Sequence, residues 1–311
     1  MSHQILGLHH VTAIAGDARR NLDFYTRILG LRLVKKTVNF DDPNTYHFYF
    51  GNETGEPGTI MTFFPWERVR TGKRGAGQAT ETAFSVPGGS LEFWQARMEE
   101  ENIIYNPPAQ RFDESYLTIL DPDGLKLELV ASPRKDKRAP FTTEDIGEEV
   151  AIRGFRGVTL TLQDQTATAQ ILTEVFGYQL VDQHVNRYRY RTDTIATANI
   201  IDVVQLPTEE RGTVAGGSVH HIAFRVVDEE TQRYFATRLR ERGLHPTPQI
   251  DRDYFMSIYF REPGGVLFEI ATDAPGFTAD EPLASLGTEL KLPKQYEPMR
   301  ASIEKKLPAL E

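Results

Sequence analysis

The chain has 311 residues, of which 40% are hydrophobic and 25% are charged, a composition typical of a globular protein with one large or two medium domains. A formal net charge of −9 and a pI near 5.5 argue against a nucleic-acid-binding surface. The absence of cysteine excludes disulfides and thiolate metal sites, and no targeting segment or membrane-length apolar run is visible, so we expect a cytoplasmic protein without a membrane partner.

A strand–helix–strand–strand–strand (βαβββ) pattern recurs four times along the chain. The predicted strands are β-branched and aromatic runs bounded by Gly, Pro and Asp, and the predicted helices have apolar residues at helical spacing. In the last copy, a strand at 220–227 precedes an amphipathic helix at 229–243. The four modules, numbered 1 to 4 in chain order, span about 5–66, 79–132, 152–207 and 217–272.

The helices and turns of the other modules follow the same order. The turns DPDG (121–124) and EPGG (262–265) lie at the same place in modules 2 and 4, which aligns Glu128 with Glu269. Modules 1, 2 and 3 carry predicted helices at 17–30, 90–103 and 166–177.

A charged segment divides the four modules into two halves. Residues 133–150 include two prolines and lack apolar periodicity, so we expect them to link a half at 5–132 to a half at 151–272. The tail, 273–311, is expected to carry a short helix near 296–306. That helix either packs on the body, over the mouth of the site, or is mobile on the surface.

Two pairs of adjacent histidines open the first strands of modules 1 and 4. His9-His10 begins HHVTAI and His220-His221 begins HHIAFR, each before an acidic turn and an amphipathic helix. His10 and His221 are therefore equivalent positions of a repeat. Glu269 lies in the middle of the last strand of module 4, among Val, Leu, Phe and Ile. A carboxylate in such a strand is costly to bury unless it is paired or binds a metal.

The four modules, over about 5–272, resemble the vicinal oxygen chelate superfamily, which contains glyoxalase I, bleomycin-resistance proteins and extradiol ring-cleaving dioxygenases. The resemblance implies an α+β glyoxalase fold in which modules pair and their curved sheets close around a cleft. It also implies metal ligands at the start of the first strand and in the middle of the last. These positions hold His10 and Thr62 in module 1, Glu81 and Glu128 in module 2, Gly157 and Asp202 in module 3, and His221 and Glu269 in module 4.

Modules 1 and 4 together supply a plausible ligand set. His10, His221 and Glu269 match the two-histidine, one-carboxylate triad that leaves positions open on Fe(II), and Thr62 stands where a fourth ligand would be. We therefore predict two half-barrels, formed by modules 1 with 4 and 2 with 3. The expected cofactor is Fe(II), with Mn(II) or another divalent metal as alternatives.

Three segments are similar to the hydroquinone-cleaving branch of the ring-cleaving dioxygenases, which includes chlorohydroquinone 1,2-dioxygenases: GLHHVTAIAGDARRNLDFYTRILGLRLVKKTVNFDDPNTYHFYFGNETGEPGTIMTFFPW, GSVHHIAFRV and FEIATDAPGF. The resemblance implies an enzyme that inserts O₂ into a small hydroquinone-type ring. We also expect the protein to be a homo-oligomer. Proton delivery would come from Tyr259 or the neighbouring histidines, and charge stabilisation from Arg252. Positions where that branch carries groups contacting the ligands or the substrate hold His9, Thr12, His220, Arg252 and Tyr259.

Each of these residues also has a structural interpretation. In a regular strand His9 and His220 face away from the ligands, although strand starts are often irregular. Tyr259 could pack across strands, and Arg252 could be a solvated loop residue. The residues interpreted as structural or unremarkable are Glu128, His47 and His184.

Three other functions remain open on these residues. A catechol extradiol dioxygenase would use the same metal ligands. A glyoxalase-like isomerase is disfavoured because Thr62 stands at the fourth ligand position. A metal-free binding protein of the bleomycin-resistance type is disfavoured because it needs no His, His and Glu set.

Overall fold

The structure, a computed structural model, describes residues 3–310 as two curled eight-stranded sheets with a few short helices on them. The strands are β1 (Leu8–Ala15), β2 (Arg32–Val38), β3 (Tyr46–Gly51), β4 (Ile60–Pro65), β5 (Gln78–Val86), β6 (Tyr105–Arg111), β7 (Glu114–Leu120), β8 (Lys126–Ala131), β9 (Gly154–Leu162), β10 (Gln179–His184), β11 (Arg187–Arg191), β12 (Ile200–Gln205), β13 (Ser218–Val226), β14 (Ile250–Asp251), β15 (Phe255–Arg261) and β16 (Leu267–Pro275). The α-helices are α1 (Ala18–Asp23), α2 (Leu91–Glu100), α3 (Thr166–Gln170), α4 (Glu229–Glu241) and α5 (Arg300–Glu304). Shorter turns are π-helical at Phe24–Ile28 and Ile171–Val175 and 3₁₀-helical at Phe277–Ala279, Leu283–Ser285 and Glu297–Met299.

The strand order confirms the predicted pairing of modules. One sheet has the order β14-β15-β16-β13-β1-β4-β3-β2, which joins module 4 to module 1, and the other has the order β10-β11-β12-β9-β5-β8-β7-β6, which joins module 3 to module 2. In each sheet the first strands of the two modules meet antiparallel, as β1 with β13 and as β5 with β9. Each module thus contributes half of a curved sheet, and the predicted α+β fold of two half-barrels is confirmed.

The central strands β1 and β5 are buried on both faces, which explains why most of their residues are apolar or uncharged; Glu81 of β5 is an exception that belongs to the ion-pair cluster described below. Every residue of β1 and of β5 is buried. The helices cover one face; α4, for example, buries Phe235 and Leu239 while its charged residues face solvent. The opposite, concave face of the sheet of modules 1 and 4 carries the polar groups described below.

The helices predicted in modules 1 and 3 change form halfway. Helix α1 continues as the π-helical turn Phe24–Ile28, and α3 continues as Ile171–Val175. In the first of these turns the consecutive residues Phe24 and Tyr25 are both buried. The apolar pattern predicted the helices but not this change.

A buried acid in each of two turns ties neighbouring modules together. In the DPDG turn, the Asp121 Oδ1 accepts the backbone N–H groups of Asp123 and Leu125 at 2.9 and 2.8 Å, and its Oδ2 accepts the Tyr25 hydroxyl of module 1 at 3.2 Å. Burial raises the pKa of Asp121 to about 7. The EPGG turn repeats the arrangement, because Thr168 of module 3 donates its hydroxyl to Glu262.

The C-terminal segment crosses from module 4 back to module 1. Asp280 and Glu281 pair with the ammonium group of Lys35 on β2, which is fully buried, and the Asp280 oxygen lies 2.6 Å from the nitrogen. Farther along, the Tyr296 hydroxyl donates to the Phe40 carbonyl oxygen at 2.7 Å. The segment thereby holds the loop between β2 and β3. Among the described residues, no helix is both long and apolar enough to cross a membrane.

Candidate metal centre

Three neighbouring strands bring His10, His221 and Glu269 to one point on the concave face of the first sheet. The His10 Nε2 lies 3.1 Å and the His221 Nε2 2.9 Å from the Glu269 Oε2, and the two imidazole nitrogens are 3.3 Å apart. All three side chains are buried, and Glu269 is fully so. Within residues 3–310, they form the one cluster of three His, Cys, Asp or Glu side chains whose ligand atoms converge.

The donor set fits a divalent cation. The Glu269 Oε2 is buried and accepts no well-aligned hydrogen bond from any described residue, although two imidazole nitrogens are close to it. Its other oxygen accepts the Ser257 hydroxyl, which fixes the orientation of the carboxylate. Burial alone would raise the pKa of Glu269, but His10 and His221 hold it well below its usual range. An ionised carboxylate and two imidazoles facing one point are the ligands that Fe(II) takes in such triads.

Each of the two central histidines is hydrogen-bonded to the histidine that precedes it. The Nδ1 atoms of His9 and His10 lie 2.9 Å apart, and those of His220 and His221 lie 2.8 Å apart. A histidine that binds a metal through Nε2 carries its proton on Nδ1, so His10 and His221 would donate and their neighbours would accept. Burial lowers the pKa of His9 well below its usual value and that of His220 to about 4, which keeps both acceptors neutral.

A cavity of about 370 Å³ opens above the three central residues. Much of its wall is aromatic, and a loop before β3 closes one side of it. Of the predicted site residues, Thr12, His220, Arg252 and Tyr259 lie on this wall, whereas His9 lies behind it and packs on Phe255 with 5.0 Å between ring centres. The residues that line the cavity are His10, Thr12, Asn39, Phe40, Asp41, Asp42, His47, Tyr49, Phe64, Trp66, His220, His221, Arg252, Phe255, Tyr259 and Leu267.

Tyr259 and Arg252 form one polar unit on the cavity wall. Tyr259 is paired with Glu269 across β15 and β16, and its hydroxyl oxygen accepts the Arg252 Nε–H at 3.3 Å. Burial and then the nearby Glu269 carboxylate raise the pKa of Tyr259 well above its usual value. The phenol therefore keeps its proton. Arg252 also lies over the rings of Phe40 and Tyr259, so it is part of the wall and not a solvated loop residue.

The interpretation of His47 as unremarkable is wrong. This residue is buried, lines the cavity and hydrogen-bonds through both ring nitrogens to Thr62 and Tyr49. Its position on a strand without an adjacent histidine or a repeat partner gave no signal. His184, by contrast, lies on the exposed strand β10.

The second sheet fills the equivalent position with ion pairs. Strand register places Glu81 where His221 stands, Glu128 where Glu269 stands, and Gly157 where His10 stands. A Cβ atom at Gly157 would lie 2.5 Å from the Ile200 carbonyl oxygen, so no ligand side chain fits there.

An arginine guanidinium binds the acids of this second cluster. Arg111 donates from both terminal nitrogens to Glu128, and it lies 3.7 Å from Asp202 and 3.8 Å from Glu81. The sequence identified Glu128 as structural but gave no sign of its partner on β6. The bases that surround the cluster are Lys126, Arg156, Arg187 and Arg189.

Comparisons with known proteins agree with this architecture. The sequence model of the Glyoxalase/Bleomycin resistance protein/Dioxygenase superfamily matches residues 7–129 and 155–270. The chain is 46% identical over 307 residues to "Putative ring-cleaving dioxygenase MhqO" of Bacillus subtilis (strain 168), covering 99% of this chain and 97% of that protein. It is 37% identical over 305 residues to "Chlorohydroquinone/hydroquinone 1,2-dioxygenase" of Sphingobium indicum (strain UT26S), covering 96% and 94%.

A solved structure extends the comparison to three dimensions. The crystal structure of a protein described as a putative dioxygenase from Bacillus subtilis subsp. subtilis str. 168 superposes with a TM-score of 0.95 at 45% identity, covering 100% of this chain and 99% of that one. Sequence, module pairing and superposition agree over nearly the whole length. The chain therefore belongs to the Glyoxalase/Bleomycin resistance protein/Dioxygenase superfamily.

Proposed function

We propose that the protein is an Fe(II)-dependent dioxygenase that inserts O₂ into the ring of a hydroquinone-type substrate. The observation that carries this proposal is the convergence of His10, His221 and Glu269 beneath an aromatic-lined cavity. Near-full-length similarity to proteins named as ring-cleaving and as hydroquinone dioxygenases supports the reaction and the substrate class.

His10, His221 and Glu269 would hold the iron, and Thr62 would leave a further position open. A bound Fe(II) ion would supply Lewis-acid activation of a phenolic oxygen and a path for electrons to O₂. The sheet contributes rigidity, because the three residues lie on strands that are hydrogen-bonded neighbours. Ser257 contributes orientation by donating to Glu269.

The cavity suits a single flat ring. Its volume of about 370 Å³ lies at the lower end of the roughly 300–1,000 Å³ typical of small-molecule sites. Phe40, Phe64, Trp66 and Phe255 would pack against the faces and edges of the ring and exclude water. A hydroquinone presents one hydroxyl towards the three metal-binding residues and a second at the far end of the ring.

Three residues would donate protons or hydrogen bonds to the substrate and stabilise its negative charge: Tyr259, Arg252 and His220. The protonated Tyr259 hydroxyl can donate to a substrate oxygen, and Arg252 lies close enough to stabilise negative charge there. Because His220 Nδ1 accepts from His221, its proton lies on Nε2, so the ring offers a second donor on the cavity wall.

His9 would act behind the site by fixing the ring of His10. The His9→Phe variant is expected to bind Fe(II) roughly 10- to 100-fold more weakly, because the His10 Nδ1–H loses its buried acceptor. Competitive titration with a fluorescent chelator measures the affinity. His3→Phe, which alters a histidine that stacks on Tyr234 away from the cavity, is the control. Equal affinities of wild type and His9→Phe would contradict this role.

The proposed reaction is tested by reconstituting the protein anaerobically with Fe(II) and then measuring O₂ consumption with methylhydroquinone and catechol in parallel. Uptake with methylhydroquinone is expected, together with its loss in His221→Ala. Uptake with catechol alone would contradict the hydroquinone substrate class. Stoichiometric iron without uptake would contradict the dioxygenase reaction, and failure to bind metal would contradict the ligand set.

A further inference from the structure

Four buried polar groups form a hydrogen-bonded chain beside the candidate metal centre. The Thr12 and Thr62 hydroxyl oxygens lie 2.9 Å apart, and the Thr62 oxygen lies 2.9 Å from the His47 Nε2. The Tyr49 hydroxyl lies 2.9 Å from the His47 Nδ1. The groups come from β1, β4 and β3, which are neighbours in the sheet, and Thr62 is paired with both Thr12 and Tyr49.

The chain runs along the cavity wall, because Thr12, His47 and Tyr49 all line the cavity. Thr62 is fully buried and lies behind the cavity wall, whereas Thr12 lies on that wall and shares the strand face of His10, two residues away. In the β1–β13 register Thr12 is the partner of His221. The end of the chain is thus next to two of the three proposed metal ligands.

The protons of such a chain run in one of two directions. In the first, Tyr49 donates to His47 Nδ1, His47 donates from Nε2 to Thr62, and Thr62 donates to Thr12, whose own proton is then free for the cavity. In the second, every bond is reversed and the proton of Tyr49 has no acceptor among residues 3–310. Neutral histidine permits either direction because one ring nitrogen donates while the other accepts.

The surroundings of Tyr49 select the first direction. Tyr49 borders the cavity but is only 1% exposed, and its ring packs among apolar and aromatic side chains, including Phe277 at 5.1 Å between ring centres. Among residues 3–310, His47 is the hydrogen-bond partner of the Tyr49 hydroxyl. Reversal would bury an unpaired donor, which costs about 1–3 kcal/mol. Burial also raises the pKa of Tyr49 well above its usual value, so this end of the chain keeps its proton.

We propose that Tyr49, His47 and Thr62 are positioning residues that hold the Thr12 hydroxyl as a hydrogen-bond donor to the ionised oxygen of a bound phenol. The proposal rests on the proposed function and narrows its substrate to a phenolate at the metal end of the cavity. It also gives a use to Thr62, which stands at the position of a fourth metal ligand. A donor whose direction is preset discriminates between an anionic oxygen, which accepts, and a neutral hydroxyl, which can also donate.

The test compares Thr62→Val, which removes the central hydroxyl with little change of shape, with Thr62→Ser, which keeps it. The probe is 4-nitrophenol, whose ionised form absorbs visible light, titrated into Zn(II)-loaded protein in which no redox step can occur. Thr62→Val is expected to bind the phenolate about tenfold more weakly than wild type, as for one hydrogen bond to a charged oxygen, and Thr62→Ser within about twofold. Thermal unfolding checks that both variants are folded.

Two outcomes would overturn the inference: wild-type affinity in Thr62→Val, or an equal loss in Thr62→Ser. Because 4-nitrophenol binding needs neither O₂ nor ring opening, the result stands even where hydroquinone turnover is not found. If the protein turns over a hydroquinone, kcat and KM of the Thr62→Val variant provide a second test. Thr62→Val should lower kcat more than it raises KM, and an unchanged kcat would also overturn the inference.

Discussion

The Glu269→Gln variant is expected to lose Fe(II) binding by more than about 100-fold and to consume no O₂ with a hydroquinone. Loss of a residue that merely supports a ligand weakens metal binding by roughly 10- to 100-fold, and Glu269 would be the single anionic ligand itself. Glutamine keeps the size of the side chain and can still accept the hydroxyl of Ser257, so the fold is retained. Metal content after reconstitution and gel filtration measures the effect.

A matched control exists in the other half of the molecule. Glu128→Gln alters the equivalent strand position, which binds Arg111, and should leave the iron stoichiometry of the protein unchanged. Iron bound by Glu269→Gln with wild-type affinity would exclude this carboxylate as a ligand. Equal iron loss in both variants would point to unfolding and not to ligation.

The Arg111→Met variant is expected to lower the free energy of unfolding of the metal-free protein by about 3–5 kcal/mol, the usual range for breaking a buried ion pair on one side. Arg111 contacts Glu128 directly and lies near Glu81 and Asp202, and its side chain is 12% exposed. Without it, the Glu128 carboxylate remains almost wholly buried and loses both of its guanidinium hydrogen bonds. Methionine keeps most of the volume, so the loss reports charge and hydrogen bonding.

Urea unfolding at constant pH measures this stability, and Arg240→Met on the exposed face of α4 provides the control. The control should change stability by less than about 0.5 kcal/mol, as surface substitutions usually do. A similar small change in Arg111→Met would mean that the surrounding bases compensate for its loss. Such a result would contradict a central role of Arg111 in the second cluster.

Much of the fold was predictable because the modules of this one sequence can be aligned with one another. The pairs His9-His10 and His220-His221 fixed the phase of modules 1 and 4, and the ligand set proposed for His10, His221 and Glu269 predicted which modules pair. A sheet pairing between the first and last quarters of a chain has no local signal. The pairing of modules 1 and 4 became predictable because together they supply a complete set of candidate metal ligands.

The rest of the site depends on contacts that local patterns do not encode. His47 gains its position only through the register of β3 with β4, and Arg111 meets its acids only when β6, β7 and β8 curl into a sheet. Phe40 lies on a loop whose sequence has no apolar periodicity. Tyr296, more than 200 residues later in the chain, holds this loop by a hydrogen bond to the Phe40 carbonyl oxygen. Isolated side chains of this kind become recognisable after the strands are placed.

The strand order also bears on the sequence of events during synthesis. Modules 2 and 3 are adjacent in the chain, so their sheet can close as soon as they leave the ribosome, whereas β1 must wait for its partner β13. Domains generally fold as units while the chain grows. The half with the ion-pair cluster can therefore form before β1 pairs with β13. On this order, the nascent polypeptide acquires the half with the proposed metal site only after β16 has been synthesised.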